Sequence, residues 1–417
     1  MKEERKVVIV GGGVIGLCIA YYASKSGMQV TVLEREAESG DSCSHGNAGM
    51  VVPSHFIPLA APGMVAKGLR MMLNPESPFY IRPRFDLGLF RWLWLFLRSA
   101  NQKHVDDSVE LLRDLNLESR RLFAELQEEG DFGLVKKGLL MLCKTQKGLD
   151  AEAAVAEQAR TIGLAAEVVD AHQTAKLDPN IRMNVMGAVY FPEDCHLNPS
   201  LLLDQLRARI RVMGGTIEYR QEVQEWQSAA GRVRYVKTAT GEFSADEFVI
   251  AGGSWSASLL SRLGCKIPMQ AGKGYSISLE NPQELPQLCS IFTEAKVAIT
   301  PMGNALRFAG TMEVGGLEHK VNEQRVHGIL RSIPEYFPAF QVNDFRDCEP
   351  WVGLRPVSPD GIPYLGRVPH FSNLIAATGH AMMGVSLAPV TGKMVANLLI
   401  GTPPFRNLSA MKIDRFS

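Results

Sequence analysis

Three glycines, Gly11, Gly13 and Gly16, stand at the spacing G-x-G-x-x-G, and an acid, Glu34, follows 18 residues later. In such a spacing the first glycine permits a tight turn after a strand, the second lets the backbone approach a pyrophosphate, and the third lets a helix pack closely on the strand. The helix that opens there, with Val14 and Ile15 in its first turn, offers unpaired N–H groups and a positive dipole end to phosphates. A carboxylate at Glu34, followed by Arg35, suits ribose hydroxyls and repels a 2′-phosphate. The pattern implies a dinucleotide and by itself does not separate FAD from NAD.

A second concentration of glycines lies near the other end. Trp351-Val-Gly353-Leu-Arg355-Pro356, Asp360-Gly361, Gly366 and Ala377-Thr378-Gly379-His380 run up to Gly384. A strand-glycine-helix crossing from Ala376, with its helix read as Gly384 to Ile400, brings another helix N-terminus to an anionic or electron-rich group. A nicotinamide enzyme has no obvious use for that second site. A flavin does, because its N1/C2 region becomes negative on reduction and a helix N-terminus stabilises the charge.

These clusters need elements to hold them. Val7 to Val10 is a β-branched run of the kind buried in a parallel sheet. A helix from the glycines to Ser24 ends before Gly27, and Val30 to Glu34 is a second strand, completing a βαβ unit. A loop rich in Gly, Ser, Asn and Pro spans 40–62, a length that usually carries function. Helical patterns follow at Met64 to Leu73, Leu87 to Ser99 and Val105 to Glu128, then a strand at Leu139 to Leu142, a helix near Ala151 to Ile162 and a strand at Ala188 to Phe191. Asn198-Pro199 is a cap and first-turn pair that starts a helix to Val212. Strands are expected at Thr216 to Tyr219, Val223 to Trp226, Val233 to Thr238 and Glu247 to Ala251, and several antiparallel strands across 268–312. The fold class is α/β: a Rossmann-like cofactor domain (1–55, 195–262, 345–417) interrupted by an α+β substrate domain with a mainly antiparallel sheet (56–194, 263–344).

Composition narrows the classes. Lys+Arg 44 balance Asp+Glu 44, so no cationic excess awaits a nucleic acid. Seven cysteines, none as CxxC, argue against a disulfide framework or zinc cluster and for a reducing compartment. The first residues lack the pattern of a signal peptide, and no apolar run reaches the roughly 20 residues of a spanning helix.

The two glycine regions, with Ser42-Cys43-Ser44-His45-Gly46-Asn47-Ala48-Gly49-Met50, Ala251-Gly252-Gly253-Ser254-Trp255 and Lys273-Gly274-Tyr275-Ser276, resemble the D-amino acid oxidase superfamily of FAD-dependent oxidoreductases. The likeness is nearest to the small subunit of the bacterial D-amino acid dehydrogenases, including those acting on D-proline and hydroxy-D-proline, and runs in order over nearly the whole chain. It implies that Ser42, Asn47, Ala48, Gly49 and Met50 run along the flavin, and that Val223 meets the adenine through its backbone. Gly252 and Trp255 would lie near the pyrophosphate, and Gly353, Gly379 and Gly384 near the ring. Arg355 would bind the substrate carboxylate, a role its paired donors suit and a lysine cannot reproduce. His380 is a further substrate-side candidate. Tyr275 either points its hydroxyl into the substrate cavity or is a satisfied sheet tyrosine. His45 stands one residue farther from Ala48-Gly49 than the histidine of relatives that attach FAD covalently, so FAD is expected to be non-covalent.

The implied reaction is oxidation of an amino-acid Cα–N bond by hydride transfer to flavin N5, with no obligatory general base and electrons passed to a quinone or other acceptor. Alternatives are a glycine or sarcosine oxidase using oxygen, a nicotinamide dehydrogenase, and a non-catalytic FAD-binding subunit. Asp194-Cys195-His196 is not a nucleophile pair, because adjacent strand residues face opposite ways. The helix around Phe90-Arg91-Trp92-Leu93-Trp94 either buries in the core or rests on a membrane surface. The expected location is cytoplasmic, with possible peripheral contact on the inner face of the plasma membrane.

Overall fold

A computed structural model describes residues 5–38, 40, 42–72 and 74–417. The β-branched run forms β1 (Lys6–Val10), followed by α1 (Val14–Lys25) and β2 (Gln29–Leu33). All three are heavily buried, the two strands as expected of strands covered on both faces. Gly27, at φ +80°, stops α1 in the left-handed conformation that glycine adopts without steric cost.

Around β1 and β2 a six-stranded sheet runs in the order Tyr364–Arg367, Leu374–Thr378, Glu247–Ile250, β1, β2, Thr216–Glu218. Its pairings are parallel except that of Tyr364–Arg367 with Leu374–Thr378. The helix Ala388–Ile400 lies on α1, where a Cβ on Gly392 would come within 2.6 Å of the Cys18 backbone, so glycine is what allows the two helices to approach. This helix begins four residues later than the sequence pattern suggested. A 3-10 turn at Ala381–Met383 precedes it, and Pro389, which has no N–H to lose in a first turn, fixes the start.

A larger, mostly antiparallel sheet has the order Trp351–Val357, Gln270–Glu280, Ala305–Val314, Val297–Met302, Cys289–Phe292, Leu139–Cys143, Gly187–Phe191, Glu167–Asp170, with Phe79–Ile81 beside Ala305–Val314. Trp351–Val357, placed with the cofactor segments by the expected boundary at 345, pairs here with Gln270–Glu280. The strand carrying Arg355 therefore belongs to the second sheet and abuts the first. Asn198 caps Pro199–Val212 by accepting from the Ser200 and Leu201 N–H groups, as its type and position suggested. The helix Met64–Met71 ends before the expected limit at Leu73, which lies outside the described residues.

Several described elements had no counterpart in the sequence reading, among them Trp351–Val357, Tyr364–Arg367, Glu167–Asp170, Ala171–Leu177 and Glu323–Tyr336. The last contains Pro334, which disfavours an isolated helix; here packing of Ile329, Ile333 and Tyr336 into the core of the second sheet overrides that cost. In the helix Leu87–Ser99, Leu89, Trp92 and Leu95 are buried while Phe90, Trp94 and Leu97 are more than half exposed. Among the described residues no helix is long and apolar enough to cross a membrane.

Candidate functional site

At the C-terminal edge of the parallel sheet, where it meets Trp351–Val357, a cavity of about 410 Å³ runs from Glu34 to Arg355 and His380. The glycines divide their work as the spacing required. Gly11 has φ +116°, and a Cβ there would meet the Ala251 carbonyl at 2.4 Å; a Cβ on Gly16 would stand 1.9 Å from the Gly11 carbonyl. Gly16 therefore serves packing and does not line the cavity. Gly13 does line it, and the nearest atom to a Cβ there is Ser44 Oγ at 3.6 Å, so this face of the α1 N-terminus is open to a ligand.

Glu34 receives the Gly12 N–H on Oε2 at 2.7 Å and the Glu36 N–H on Oε1 at 2.9 Å, which orients the carboxylate along the cavity wall. Arg35 lies 3.6 Å from the ring centre of Trp255, and His319 stacks on the same indole at 6.0 Å. Val14, Ile15, Ser42, Asn47, Val223, Gly252 and Gly384 also reach the lining. The Val223 carbonyl is held by Arg262 Nη1 at 3.0 Å.

Other expected contacts act behind the wall. Gly49, at φ +68°, presses on the Leu197 carbonyl, and Asn47 Oδ1 holds its N–H at 2.8 Å. Met50 pairs with His196 in a two-stranded bridge, and Ala48 packs on the cluster containing Met50 and Phe56. Gly353 gives up its side-chain space to the Trp351 ring and Cys43 Sγ, and Gly379 to Tyr364. His45 lies outside the lining, with Nδ1 3.3 Å from the Ser42 N–H and hydroxyl.

Tyr275 resolves to the second of its two readings. It is fully buried, donates to Glu313 Oε2 at 3.0 Å and accepts from the Asn322 N–H at 3.2 Å, away from the cavity. Its substrate-binding assignment is withdrawn, because two buried partners already satisfy the hydroxyl. The neighbouring Gly274 carries the information instead. A Cβ there would lie 2.0 Å from Arg355 Nη1, so the Lys273-Gly274 pair leaves room for the guanidinium to cross the strand.

Arg355 donates to the Thr311 carbonyl at 2.6 Å and, among the described residues, has no carboxylate within ion-pair distance. Burial pushes its pKa down, with the nearby Cys43 thiol opposing. His380 is buried and held neutral, its pKa pushed down to about 3. Its Nε2 lies 3.0 Å from Thr391 Oγ1, while Nδ1 has no hydrogen-bond partner among the described residues.

Several lining residues were not singled out from the sequence. Ser44 Oγ accepts the Val14 N–H at 3.1 Å, Ser254 Oγ donates to the Leu354 carbonyl at 2.9 Å and Thr378 Oγ1 to the Gly253 carbonyl at 2.9 Å. All three sit inside motifs already noted, which was the available signal. His319 had none, since its stacking partner is 64 residues away.

The residues present fit a flavin dinucleotide: an open glycine cradle and helix end at one side, an oriented acid beside it, and an orphaned ring nitrogen and uncompensated guanidinium at the other. The fold and cavity define an FAD-dependent oxidoreductase. A profile of the FAD dependent oxidoreductase (DAO) family matches residues 6–398, and the chain belongs to that family. It is 31% identical over 406 residues to D-amino acid dehydrogenase from Vibrio vulnificus strain YJ016, covering 95% of this chain and 96% of the relative. The solved glycine oxidase from Geobacillus kaustophilus superposes with a TM-score of 0.78 at 26% identity, covering 99% of this chain and 100% of the other. An L-α-glycerophosphate oxidase from Mycoplasma pneumoniae, with FAD bound, shares the fold at TM-score 0.72 and 16% identity, with 95% of each chain covered.

Proposed function

We propose that this FAD enzyme is a dehydrogenase of D-amino acids with neutral side chains, proline-type substrates included. The observation that carries this reading is the Arg355 guanidinium, which lines the cavity with one carbonyl and no carboxylate partner among the described residues. A half-buried cation without a counter-ion is costly, and a substrate carboxylate received on its paired donors removes that cost. Among the described residues the acids in the cavity lining are Glu34, Glu36 and Glu222; Glu34 and Glu222 are tied together near β2 by the hydrogen bond of Gln221 N–H to the Glu34 carbonyl. Among the described residues no lining acid stands next to Arg355 for a cationic side chain, which favours neutral ones.

In this scheme Arg355 fixes the carboxylate and thereby the direction of the Cα hydrogen. Bound FAD supplies the two-electron acceptor. His380, neutral and buried, offers a hydrogen bond without adding charge.

The acceptor of the electrons is proposed to be a quinone reached at a membrane surface. Supporting this, Leu69, Phe85, Leu87, Phe90, Trp94 and Leu97 are exposed within one 29-residue stretch, alongside exposed Arg70, Arg82, Arg91 and Arg98. An apolar face flanked by arginines suits an anionic lipid surface. Trp92 on the inner face of the same helix donates to the Val357 carbonyl at 2.9 Å, two residues from Arg355.

The test is a panel of D- and L-amino acids, glycine, sarcosine and both prolines, read as anaerobic flavin bleaching. Bleaching by neutral D-amino acids is expected; bleaching by none of them defeats the proposal. The similarity to a glycine oxidase supports a second reading, an oxidase of glycine or sarcosine. Fast reoxidation in air and a preference for glycine would select it.

A further inference from the structure

Lys273, Tyr275 and His319 have no part in the proposed reaction, and they meet at one segment, 315–322. This stretch joins the strand Ala305–Val314 to the helix Glu323–Tyr336. It turns off the strand at Gly315 and Gly316, the latter at φ +95°, a conformation other residues adopt only under strain.

His319 reaches the cavity from a different part of the chain than its neighbours there. Every other described lining residue lies within 10–47, 221–262 or 354–385. His319 is exposed while lining the cavity, so it stands at the mouth. Its imidazole lies at 16° to the Trp255 indole with 6.0 Å between ring centres, and Arg35 stands 3.6 Å from the centre of that indole. The Trp255 turn abuts the glycine cradle. Trp255 N–H donates to the Gly252 carbonyl at 3.0 Å, and a Cβ on Gly11 would come within 3.0 Å of the Gly252 nitrogen. The stack therefore borders the glycines that suit a pyrophosphate.

A ring brought to the mouth from another sheet stays there only if the segment carrying it is held. Lys273 Nζ, almost wholly buried, donates to the Lys320 carbonyl at 2.9 Å, one residue past His319, and lies 3.9 Å from Glu313. The Asn322 N–H donates to the Tyr275 hydroxyl, which in turn donates to Glu313 Oε2. Burial, then the Glu313 carboxylate, push the Tyr275 phenol up, so it keeps the proton it donates. At the outer edge Arg82 pairs with Glu318 at 3.0 Å, an exposed contact of small worth. The inner anchors outrank it, because a buried ammonium must be paired and hydrogen-bonded, and burial removes the water that would compete for those bonds. Strand alternation divides the motif: Lys273 and Tyr275 hold this segment, while Gly274 between them leaves the space for Arg355.

We propose that 315–322 is a strap that closes over bound FAD. His319, stacked on Trp255, covers the pyrophosphate stretch of the cavity, and Lys273 and Tyr275 are positioning residues that hold the strap there. No bond is made or broken. The strap slows escape of the cofactor, because the stack must open before the dinucleotide leaves.

The test needs no substrate, so its outcome is independent of the amino-acid reading. Holoprotein is diluted, and release of FAD is followed as the return of free-flavin fluorescence. His319→Ala, at an exposed position, should speed release by about 10-fold, the upper range for loss of an aromatic stack. His319→Phe, which keeps a ring to lay on Trp255, should return release to within about twofold of the parent protein. Tyr275→Phe and Lys273→Met should each speed release while His319 is in place. Combined with His319→Ala, neither should add to it, since the strap then has no ring to deliver. Circular dichroism checks the fold of each variant, and if Lys273→Met does not fold, Tyr275→Phe carries the anchoring arm. Unchanged release in His319→Ala overturns the strap, as does failure of His319→Phe to restore slow release. Multiplying effects in the double variants overturn the anchoring role, with the buried cluster then acting on the fold as a whole.

Discussion

The two ends of the cavity are built differently. The Glu34 end is made by one continuous βαβ unit, whose turn, helix start and acid fall within 24 residues, and its constraints are backbone constraints: the Gly11 and Gly16 positions admit no Cβ. The Arg355 end is assembled from chain segments far apart: Gly274 yields space, Thr311 supplies a carbonyl, and His380, held by Thr391, closes the same end. A site made of backbone leaves a pattern that can be read along the chain. A site made of side chains converging across a sheet leaves only its members.

Substitutions can break that contrast at either end, and the largest effect is expected at Gly16. Gly16→Val forces atoms into the Gly11 carbonyl and should yield protein that neither retains flavin nor folds cooperatively, whereas Gly13→Ala should fold normally and lose flavin alone. Circular dichroism with flavin absorbance separates the two; equal damage from both would erase the distinction between packing and cradle glycines.

Next in size is Arg355→Ala, expected to lower kcat/KM by about 10²-fold or more while FAD stays bound, the usual cost of removing one partner of a buried charged contact. Arg355→Lys should recover little of it, because a lysine lacks the paired donors. Gly274→Ala keeps the guanidinium but displaces it, and should raise KM by about 10-fold with a smaller change in kcat. Loss of flavin in Arg355→Ala would move this arginine to the cofactor end of the comparison.

Acid sensitivity sharpens the same contrast. His55, His196 and His380 are held near 4, 4 and 3 by burial, against 6.5 for an ordinary histidine, whereas Asp194 is held near 7 against 3.8. Between about pH 6.5 and 4, unfolding thus takes up a proton at each histidine and releases one from Asp194. These histidines make the folded state lose stability as the pH falls through this window, and Asp194 opposes that loss, as does Asp178, whose carboxyl burial also pushes up. Asp194→Asn should steepen the fall, seen as a larger drop in urea midpoint between about pH 7 and 5; a shallower one would reverse the sign assigned to Asp194.

The smallest effect on turnover is expected at the exposed helix face. Trp94→Ser with Leu97→Ser should weaken sedimentation with anionic vesicles and slow quinone reduction, leaving activity with a soluble dye within about twofold. Undiminished vesicle binding would detach the electron acceptor from this face.

Much of the architecture was legible in local chemistry. The cap at Asn198, the stop at Gly27 and the βαβ unit follow from short-range backbone rules, and the structure places them within a few residues of where those rules put them. The helix Glu323–Tyr336 was hidden because Pro334 argues against it locally and only tertiary packing offsets that cost. Tyr275 was ambiguous for a related reason. Alternation shows that a strand residue faces one side or the other, but only the fold shows that Glu313 and the Asn322 N–H are waiting there. Burial pushes the Cys195 thiol up and the His196 imidazole down, so both are held neutral, and Asp194 is held instead by Ser54, a partner that could not be seen along the chain.

The amino-acid sequence by itself determined a dinucleotide cradle of glycines with an acid beside it, because each depends on the conformational freedom or donor geometry of a residue type at a short spacing; FAD and the arginine at the far end were legible through the resemblance of the longer motifs. Only the tertiary structure decided which side chains share the Arg355 end, and that Arg355 lacks a carboxylate partner among the described residues. Those properties arise from burial and from contacts between distant segments, and burial sets the protonation states on which the chemistry at that end depends.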